Sequence, residues 1–327
     1  MTSLGRLVLA LLALAACSER AARSERAVVL YTVNGPELTG PVLERFRAEH
    51  PGVELQVVSV PGTGELFARV AAERGAPRAD VVWGGAREAY AAHPELLAAV
   101  ALPEDASTVA IDPEHRWHAT DLLLQILVVN TERFEGQRPT TIAELAAPGW
   151  SGGQVVLAQP GASGTAFSVL AGLVTRHGWP LVERLVPHLW LVDDSASMFS
   201  LVREGEAAVG FMNEDLATQW AAAGVPLALI YPRDGVPYQV GCAAVIAGAR
   251  HPAEGAALAN FLLSAEAQAV QVREVSRRSS RRDAPPPAGV PALSDVDLIE
   301  LDPALASSGK AALISTFRDT VLRGARR

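Results

Sequence analysis

The feature that most constrains how this 327-residue chain can fold is the alternation of apolar strands with amphipathic helices after residue 26. Three short apolar segments, at residues 27–32, 53–60 and 79–83, are predicted strands. Helical periodicity fills the intervals between them, at residues 36–50 and after Gly64. Strands that alternate with helices form a mostly parallel sheet with helices on both faces, so an α/β fold is predicted.

A second α/β unit follows a long apolar segment at residues 121–130. Two units of this kind can face each other across a cleft, which would place a binding site between them. The elements predicted for this unit and for the C-terminal part are strands at 155–158, 207–211 and 236–246, and helices beginning at 163, 195, 252 and 308.

The N-terminus has the pattern of a lipoprotein export signal. Arg6 precedes an apolar run at residues 7–14, which is too short for a bilayer because a spanning helix needs about 20 apolar residues. Small residues then lead to Cys17, where a bacterial lipoprotein is acylated. We therefore predict a signal peptide at 1–16, a lipid on Cys17 and a tether at 17–26, with the protein lipid-anchored to a membrane on its periplasmic or cell-surface side. An ordinary signal peptide with a chance cysteine is the alternative, and it also directs the chain out of the cytoplasm.

The net charge limits which partners are expected, and the cysteine content limits which disulfides can form. The formal net charge is −8, and a nucleic-acid partner is not expected because binding phosphate backbones needs a basic face. The basic run Arg277–Arg282 is interpreted as a solvated turn. Cys242 is interpreted as a buried small hydrophobic residue, and no intramolecular disulfide can form if Cys17 carries lipid.

Several predicted strands end in Gly, Ser, Thr or Asn directly before a helix. Ligands of open α/β sheets bind beyond the carboxyl ends of the strands, where the free N–H groups of helix N-termini favour an anion. Ser and Thr are also the normal N-caps of helices, so one such end is a weak signal and five together are a better one. The candidate ligand-binding residues at these ends are Thr32, Asn34, Thr63, Gly64, Trp83, Gly84, Gly85, Ser163, Gly164, Thr165, Ser195 and Ser197.

Two further candidates are Glu214 and Tyr238. Glu214 follows the strand that ends at Phe211 and is a candidate to present its carboxylate to a ligand amine or a metal, while Asp215 beside it is interpreted as a helix N-cap. Tyr238 lies near a predicted strand end, where it is a candidate to line a pocket, although core packing is the commoner role of such an aromatic residue.

Catalytic patterns are weak. Residues 161–165 lack the second glycine of a nucleophile elbow. His115 and His118 have a spacing that can hold a metal on a helix, but Asp112-Pro113 upstream favours a loop. We expect a protein that is not an enzyme and has no metal site or cofactor. The least favoured alternative is an exported hydrolase that acts through Ser163 or through a metal at His115 and His118.

The mature chain resembles the bacterial extracellular solute-binding proteins of ABC importers, and within them the branch with ferric-ion-, phosphonate- and sugar-phosphate-binding members. The order and spacing of several modest motifs carry the resemblance. The matching stretches are 29–32, 46–51, 62–66, 79–85, 148–152, 162–166, 205–210, 260–264 and 296–299.

This resemblance implies a two-lobed type II periplasmic-binding-protein fold with two crossing hinge strands. Lobe 1 would comprise residues 27–125 and 236–327, and lobe 2 residues 126–235. A solute would bind between the lobes, close them by hinge motion and be delivered to an ABC permease in the membrane. We expect the protein to be a monomer.

The resemblance also bears on the solute. Iron-binding members have an adjacent tyrosine pair after the strand that here ends at Phe211, and this chain has Met212–Asp215 there. Phosphate- and phosphonate-type members use hydroxyls and N–H groups at helix starts, which this chain has. We therefore expect a small anionic solute, such as a phosphonate or a phosphorylated organic compound, with Glu214 free to meet an amine. A ferric-ion receptor is the alternative.

Overall fold

The computed structural model describes residues 27–134, 136–150, 154–301 and 309–324; the predicted signal peptide, Cys17 and tether lie outside these residues. None of the helices in this part of the chain has the length and apolar character needed to cross a membrane. The strands are β1 (Val28–Thr32), β2 (Leu55–Ser59), β3 (Val81–Ala86), β4 (His118–Asn130), β5 (Val155–Ala158), β6 (Leu189–Val192), β7 (Val209–Asn213), β8 (Leu227–Ile230), β9 (Val236–Val245), β10 (Arg278–Ser279) and β11 (Leu298–Ile299). The helices are α1 (Pro36–Glu49), α2 (Thr63–Ala72), α3 (Arg87–Ala91), α4 (Gly164–His177), α5 (Trp179–Leu185), α6 (Ser195–Arg203), α7 (Glu214–Ala222), α8 (Pro252–Leu262), α9 (Ala265–Val275) and α10 (Lys310–Gly324).

The first lobe is built around β1, which pairs in parallel with β2 on one side and with β3 on the other. Helices α1, α8 and α9 cover one face of these strands, where Leu30 of β1, Phe46 of α1 and Phe261 of α8 belong to one buried apolar cluster. The rings of Phe46 and Phe261 lie 5.4 Å apart. The alternation of strands and helices therefore forms the predicted α/β arrangement.

Strand β4 belongs to both lobes. Its residues 118–124 pair antiparallel with β9, and its residues 125–130 pair antiparallel with β7 and β8. It begins at His118, three residues before the predicted start at Asp121, because His118 already pairs with Ala243 of β9. Strand β9 lies beside it and also pairs with β3, so these two strands form the crossing between the lobes.

The second lobe is centred on β5, which pairs in parallel with β6 and β7. Helix α4 packs along this lobe with nine consecutive buried residues, from Thr165 to Leu173. The first turn of α4 therefore has a fixed position at the carboxyl end of β5.

The C-terminal helix α10 packs against the second lobe. Leu313 and Phe317 on its apolar face are buried, as the sequence periodicity predicted. Nη2 of Arg323 lies 3.8 Å from Oε1 of Glu183 in α5. The lobe boundaries drawn from the sequence stay a prediction, and α10, which they assign to the first lobe, makes these contacts with the second.

Candidate functional site

A cleft of about 960 Å³ lies between the lobes and is lined by both of them. The first lobe contributes the start of α2 and the segment from Gly85 to His93, and the second contributes residues 160–164 and the first turns of α4. Gln239 of β9, Leu301 and Lys310 complete the wall. Of the candidate residues from the sequence, those that line the cleft are Thr63, Gly64, Gly85, Ser163 and Gly164.

The wall on the first lobe depends on two glycines at the end of β3. Gly84 and Gly85 have φ values of +101° and +85°, a region in which side chains other than glycine are strained. A Cβ on Gly85 would lie 2.5 Å from Oγ1 of Thr63, and one on Gly84 would lie 2.8 Å from Nδ2 of Asn34. These glycines therefore let the polar side chains of Thr63 and Asn34 lie against the turn.

The wall on the second lobe is fixed by hydrogen bonds. Oγ of Ser163 caps α4 by accepting the N–H of Ala166 at 3.0 Å, and it lies 2.6 Å from the Ser195 hydroxyl. Thr165 donates to Oδ1 of Asn213 at 2.9 Å. Because these bonds tie the start of α4 to its neighbours, they set where the N–H groups at the start of this helix lie beside the cleft.

Three helices begin at the cleft. Thr63, Gly164 and Lys310 line it and are the first residues of α2, α4 and α10. The N-terminus of a helix carries partial positive charge from its unpaired N–H groups, and Lys310 adds a full positive charge. The carboxylates of Glu65 and Glu88 also line the cleft, and Glu88 accepts a hydrogen bond from Nε of Arg87 at 3.1 Å. The arrangement can offer hydroxyl, amide and ammonium donors to a bound anion.

Several predicted residues shape the loops without lining the cleft. Thr32 is buried, donates to the carbonyl of Trp83 at 2.8 Å and accepts the N–H of Asn34 at 3.0 Å. Trp83 is 1% exposed and packs in the core of the first lobe, so the structure does not bring it to the cleft surface. The hydroxyl of Ser195 hydrogen-bonds to that of Ser163, and Ser197 is exposed on α6.

Glu214 is not free to meet a ligand amine, which corrects the prediction for this residue. It is 2% exposed, and its carboxylate accepts hydrogen bonds from Nε and Nη2 of Arg278 at 2.6 and 2.8 Å. The hydroxyl of Tyr231 donates to the same carboxylate at 2.5 Å. Burial, followed by the charge of Glu214, raises the pKa of Tyr231, so this tyrosine stays a neutral donor.

Arg277, Arg278 and Arg281 are held in ion pairs, so the prediction of a solvated turn is wrong for them, whereas Arg282 is exposed. Nη2 of Arg277 lies 2.6 Å from Oδ2 of Asp215, and Nη1 lies 3.4 Å from Oδ1 of Asn34. Burial acts to lower the pKa of Arg277, but Asp215 and Asp121 outweigh it and raise the pKa.

Asp215 is thus an ion-pair partner and does not cap α7, whose N-cap residue is Asn213. Arg281 in turn pairs with Glu104 and Asp283.

Tyr238 lies outside the cleft. It is buried, donates a hydrogen bond to Glu300 and lines a neighbouring cavity of about 810 Å³ together with Arg87 and Trp117. Burial and Glu300 raise the pKa of Tyr238. Its position on β9 directs it away from the face on which Gln239 meets the cleft, because successive side chains of a strand point to opposite faces.

The histidines considered as metal ligands bind a carboxylate instead. Nδ1 of His118 lies 2.8 Å and Nδ1 of His115 lies 3.3 Å from the carboxylate oxygens of Asp105. Within the described ranges, no group of three or more His, Cys, Asp and Glu side chains is placed to hold a metal ion. Cys242 is a buried free cysteine, as predicted, and burial raises the pKa of its thiol.

Among the side chains that line the cleft but were not predicted from the sequence are Phe167, Gln239 and Lys310. Two of them had a detectable signal. Gln239 is a polar residue within an otherwise mostly apolar strand, and Lys310 is the only lysine of the chain. Phe167 is part of an apolar helix, and nothing in the sequence marked it as a cleft residue.

The chain is similar in sequence to known bacterial proteins. Residues 37–274 match the family of bacterial extracellular solute-binding proteins. An uncharacterized protein of Haemophilus influenzae is 30% identical over 230 residues, which cover 63% of this chain and 64% of the relative, so the chain spans just under two thirds of that relative's length.

Solved structures share the fold. The periplasmic binding protein AfuA of Actinobacillus pleuropneumoniae, solved with fructose 6-phosphate bound, superposes with a TM-score of 0.79 at 22% identity over 90% of this chain and 98% of AfuA. Iron-bound HitA of Pseudomonas aeruginosa gives a TM-score of 0.78 at 20% identity, over 90% of this chain and 99% of HitA. The predicted two-lobed α/β fold is therefore confirmed, and the chain belongs to the bacterial extracellular solute-binding proteins.

Proposed function

We propose that this chain is the extracytoplasmic receptor of an ABC importer and that it binds a small anionic solute, such as a phosphonate or a phosphorylated organic compound. The observation that carries this proposal is the cleft between the lobes, where Thr63 from one lobe faces the same space as Ser163 from the other. The solute would be held between the lobes and delivered to a membrane permease.

The chemistry of the cleft supports an anion as the solute. The starts of α2 and α4 offer backbone N–H groups, and Thr63 and Ser163 offer hydroxyls at the same two positions. A volume of about 960 Å³ is in the range of clefts that hold metabolite-sized molecules. AfuA, which has the same fold, was solved with a sugar phosphate bound, and this supports a phosphorylated solute here.

The ferric-ion alternative rests on HitA, which was solved with iron bound and also has this fold. In our chain the two carboxylates after β7 are already engaged, Glu214 by Arg278 and Asp215 by Arg277. The hydrolase alternative needs a base beside Ser163, and the side-chain bonds of Ser163 go to the Ala166 N–H and to the Ser195 hydroxyl, neither of which is a base. These contacts favour a binding role and an anionic solute.

We also propose that a lipid on Cys17 anchors the mature protein to a membrane and that the receptor acts as a monomer. The pattern of residues 1–17 supports the anchor, because small residues precede a cysteine after a short apolar run. Two acyl chains on one cysteine suffice for stable attachment.

A thermal-shift screen tests the proposed solute class. The panel comprises inorganic phosphate, methylphosphonate, hexose phosphates, ferric citrate and polyamines. We expect an anionic phosphoryl or phosphonyl compound to raise the melting temperature, because a ligand that binds the native state stabilises it. Ser163→Ala should reduce this shift, and Ser197→Ala, at an exposed position outside the cleft, should leave it unchanged. Stabilisation by ferric citrate or polyamines alone would contradict the proposal.

A further inference from the structure

Lys310 lies on the wall of the cleft at the N-terminus of α10. It is the first residue of this helix and the only lysine in the chain. Its Nζ lies 4.7 Å from the centre of the Phe167 ring. Phe167 lies in the first turn of α4, so the ammonium group contacts a side chain of this turn.

The position of Lys310 is fixed by the packing of its helix. Leu313 and Phe317, one and two turns further along α10, are buried against the protein. Ile314 lies against the loop before α4, with Cγ2 3.5 Å from the place that a Cβ on Gly161 would occupy. The first turn of α10 is therefore held beside residues 160–164, and the side chain of Lys310 extends along the cleft wall.

Lys310 forms no ion pair with any carboxylate among the residues that the structure describes, since none of their carboxylate oxygens lies within 4.0 Å of its ammonium nitrogen. The Phe167 ring attracts the ammonium group, but such contacts at exposed positions contribute only about 0.5–1 kcal/mol. The N–H groups of the ammonium can therefore bind an anion more strongly than they bind the ring.

We propose that Lys310 is a specificity-determining residue, whose ammonium group binds the anionic group of the solute and disfavours cationic solutes. This inference rests on the proposed function, because it assigns the charged partner of the same solute. It also makes the C-terminal helix α10 part of the binding site, in addition to the loops of the two lobes.

Calorimetric titration of Lys310→Met and Lys310→Arg tests the inference. The probes are inorganic phosphate, methylphosphonate and fructose 6-phosphate. We expect Lys310→Met to weaken the tightest-binding of these anions at least about tenfold, since a charge-assisted hydrogen bond is lost. Lys310→Arg should stay within about threefold of wild type. Arg318→Met is the matched control, because it removes an exposed positive charge from the same helix outside the cleft.

A second readout uses the uniqueness of this lysine. An N-hydroxysuccinimide ester acylates Lys310 as the sole side-chain amine, and peptide mass spectrometry measures the rate. The anion that binds most tightly should slow this reaction at least about threefold at saturation, because a bound anion covers the ammonium group.

The outcomes separate the two proposals. If the wild type binds none of the three anions, both the proposed solute class and the role of Lys310 are overturned. If the wild type binds an anion, the role of Lys310 requires both the loss of affinity in Lys310→Met and the protection from acylation. Loss of either one overturns the inference about Lys310 and leaves the proposed function standing.

Discussion

At the scale of single residues, the ion pair between Arg278 and Glu214 ties the two lobes together. Arg278 is 4% exposed and lies in β10 beside the first-lobe part of β4, whereas Glu214 begins α7 of the second lobe. A buried charge is costly without its partner, and removing both charges at once is often close to neutral. The pair is therefore expected to act as a unit.

A double-mutant cycle tests this expectation. Arg278→Met should lower the free energy of unfolding by about 3–5 kcal/mol, because it leaves the carboxylate of Glu214 buried without its cation. Adding Glu214→Met should restore much of this loss, as measured by urea denaturation. Arg273→Met, which breaks the exposed pair with Glu274, is the control and should change stability by less than about 1 kcal/mol. A double variant that is no more stable than Arg278→Met would show that the residues act separately.

At the scale of elements, the turn at the end of β3 sets the position of α2. Gly85 has a positive φ, and a Cβ there would meet the side chain of Thr63, the first residue of α2. The glycine thus allows a close approach between the strand end and the helix start. Any larger residue would displace Thr63 from the cleft wall.

Two glycine-to-alanine variants compare this position with a permissive one. Gly85→Ala should lower the free energy of unfolding by at least about 1–2 kcal/mol, because left-handed backbone is strained for alanine and the Cβ meets Thr63. Gly64 lies in α2, and a Cβ there would have no atom within 4 Å. Gly64→Ala should therefore leave the free energy of unfolding unchanged or raise it by up to about 1 kcal/mol. Equal thermal-unfolding midpoints for the two variants would contradict this account of the turn.

Local sequence patterns predict an element well when the residues that define it are neighbours in the chain. The starts of α2 and α4 follow from Gly62-Thr63 and Ser163-Gly164, where turn and capping residues precede apolar helices. The role of the basic run did not follow, because Arg277 and Arg278 find their acidic partners 62 and 64 residues away in the chain. Lys310 was missed for the same reason, since only the packing of α10 brings it beside Phe167.

At the scale of the whole molecule, the two lobes are joined by β4 and β9, and the cleft lies where they meet. Gln239 of β9 lines the cleft and donates to the carbonyl of Gly164 at 2.9 Å, so the crossing strand also contacts the second-lobe wall. A solute in this cleft would contact residues of both lobes at once. Binding should therefore depend on both walls of the cleft, because each lobe supplies only one of them.

Calorimetric titration of Thr63→Val and Ser163→Ala with the tightest-binding anion of the panel tests this claim most directly. Each variant removes one hydroxyl from one wall, Thr63 from the first lobe and Ser163 from the second. We expect each variant to weaken binding by about five- to tenfold or more, since each removes a hydrogen bond to a charged ligand. Full affinity in either variant, when both remain folded, would contradict a solute held between the two lobes.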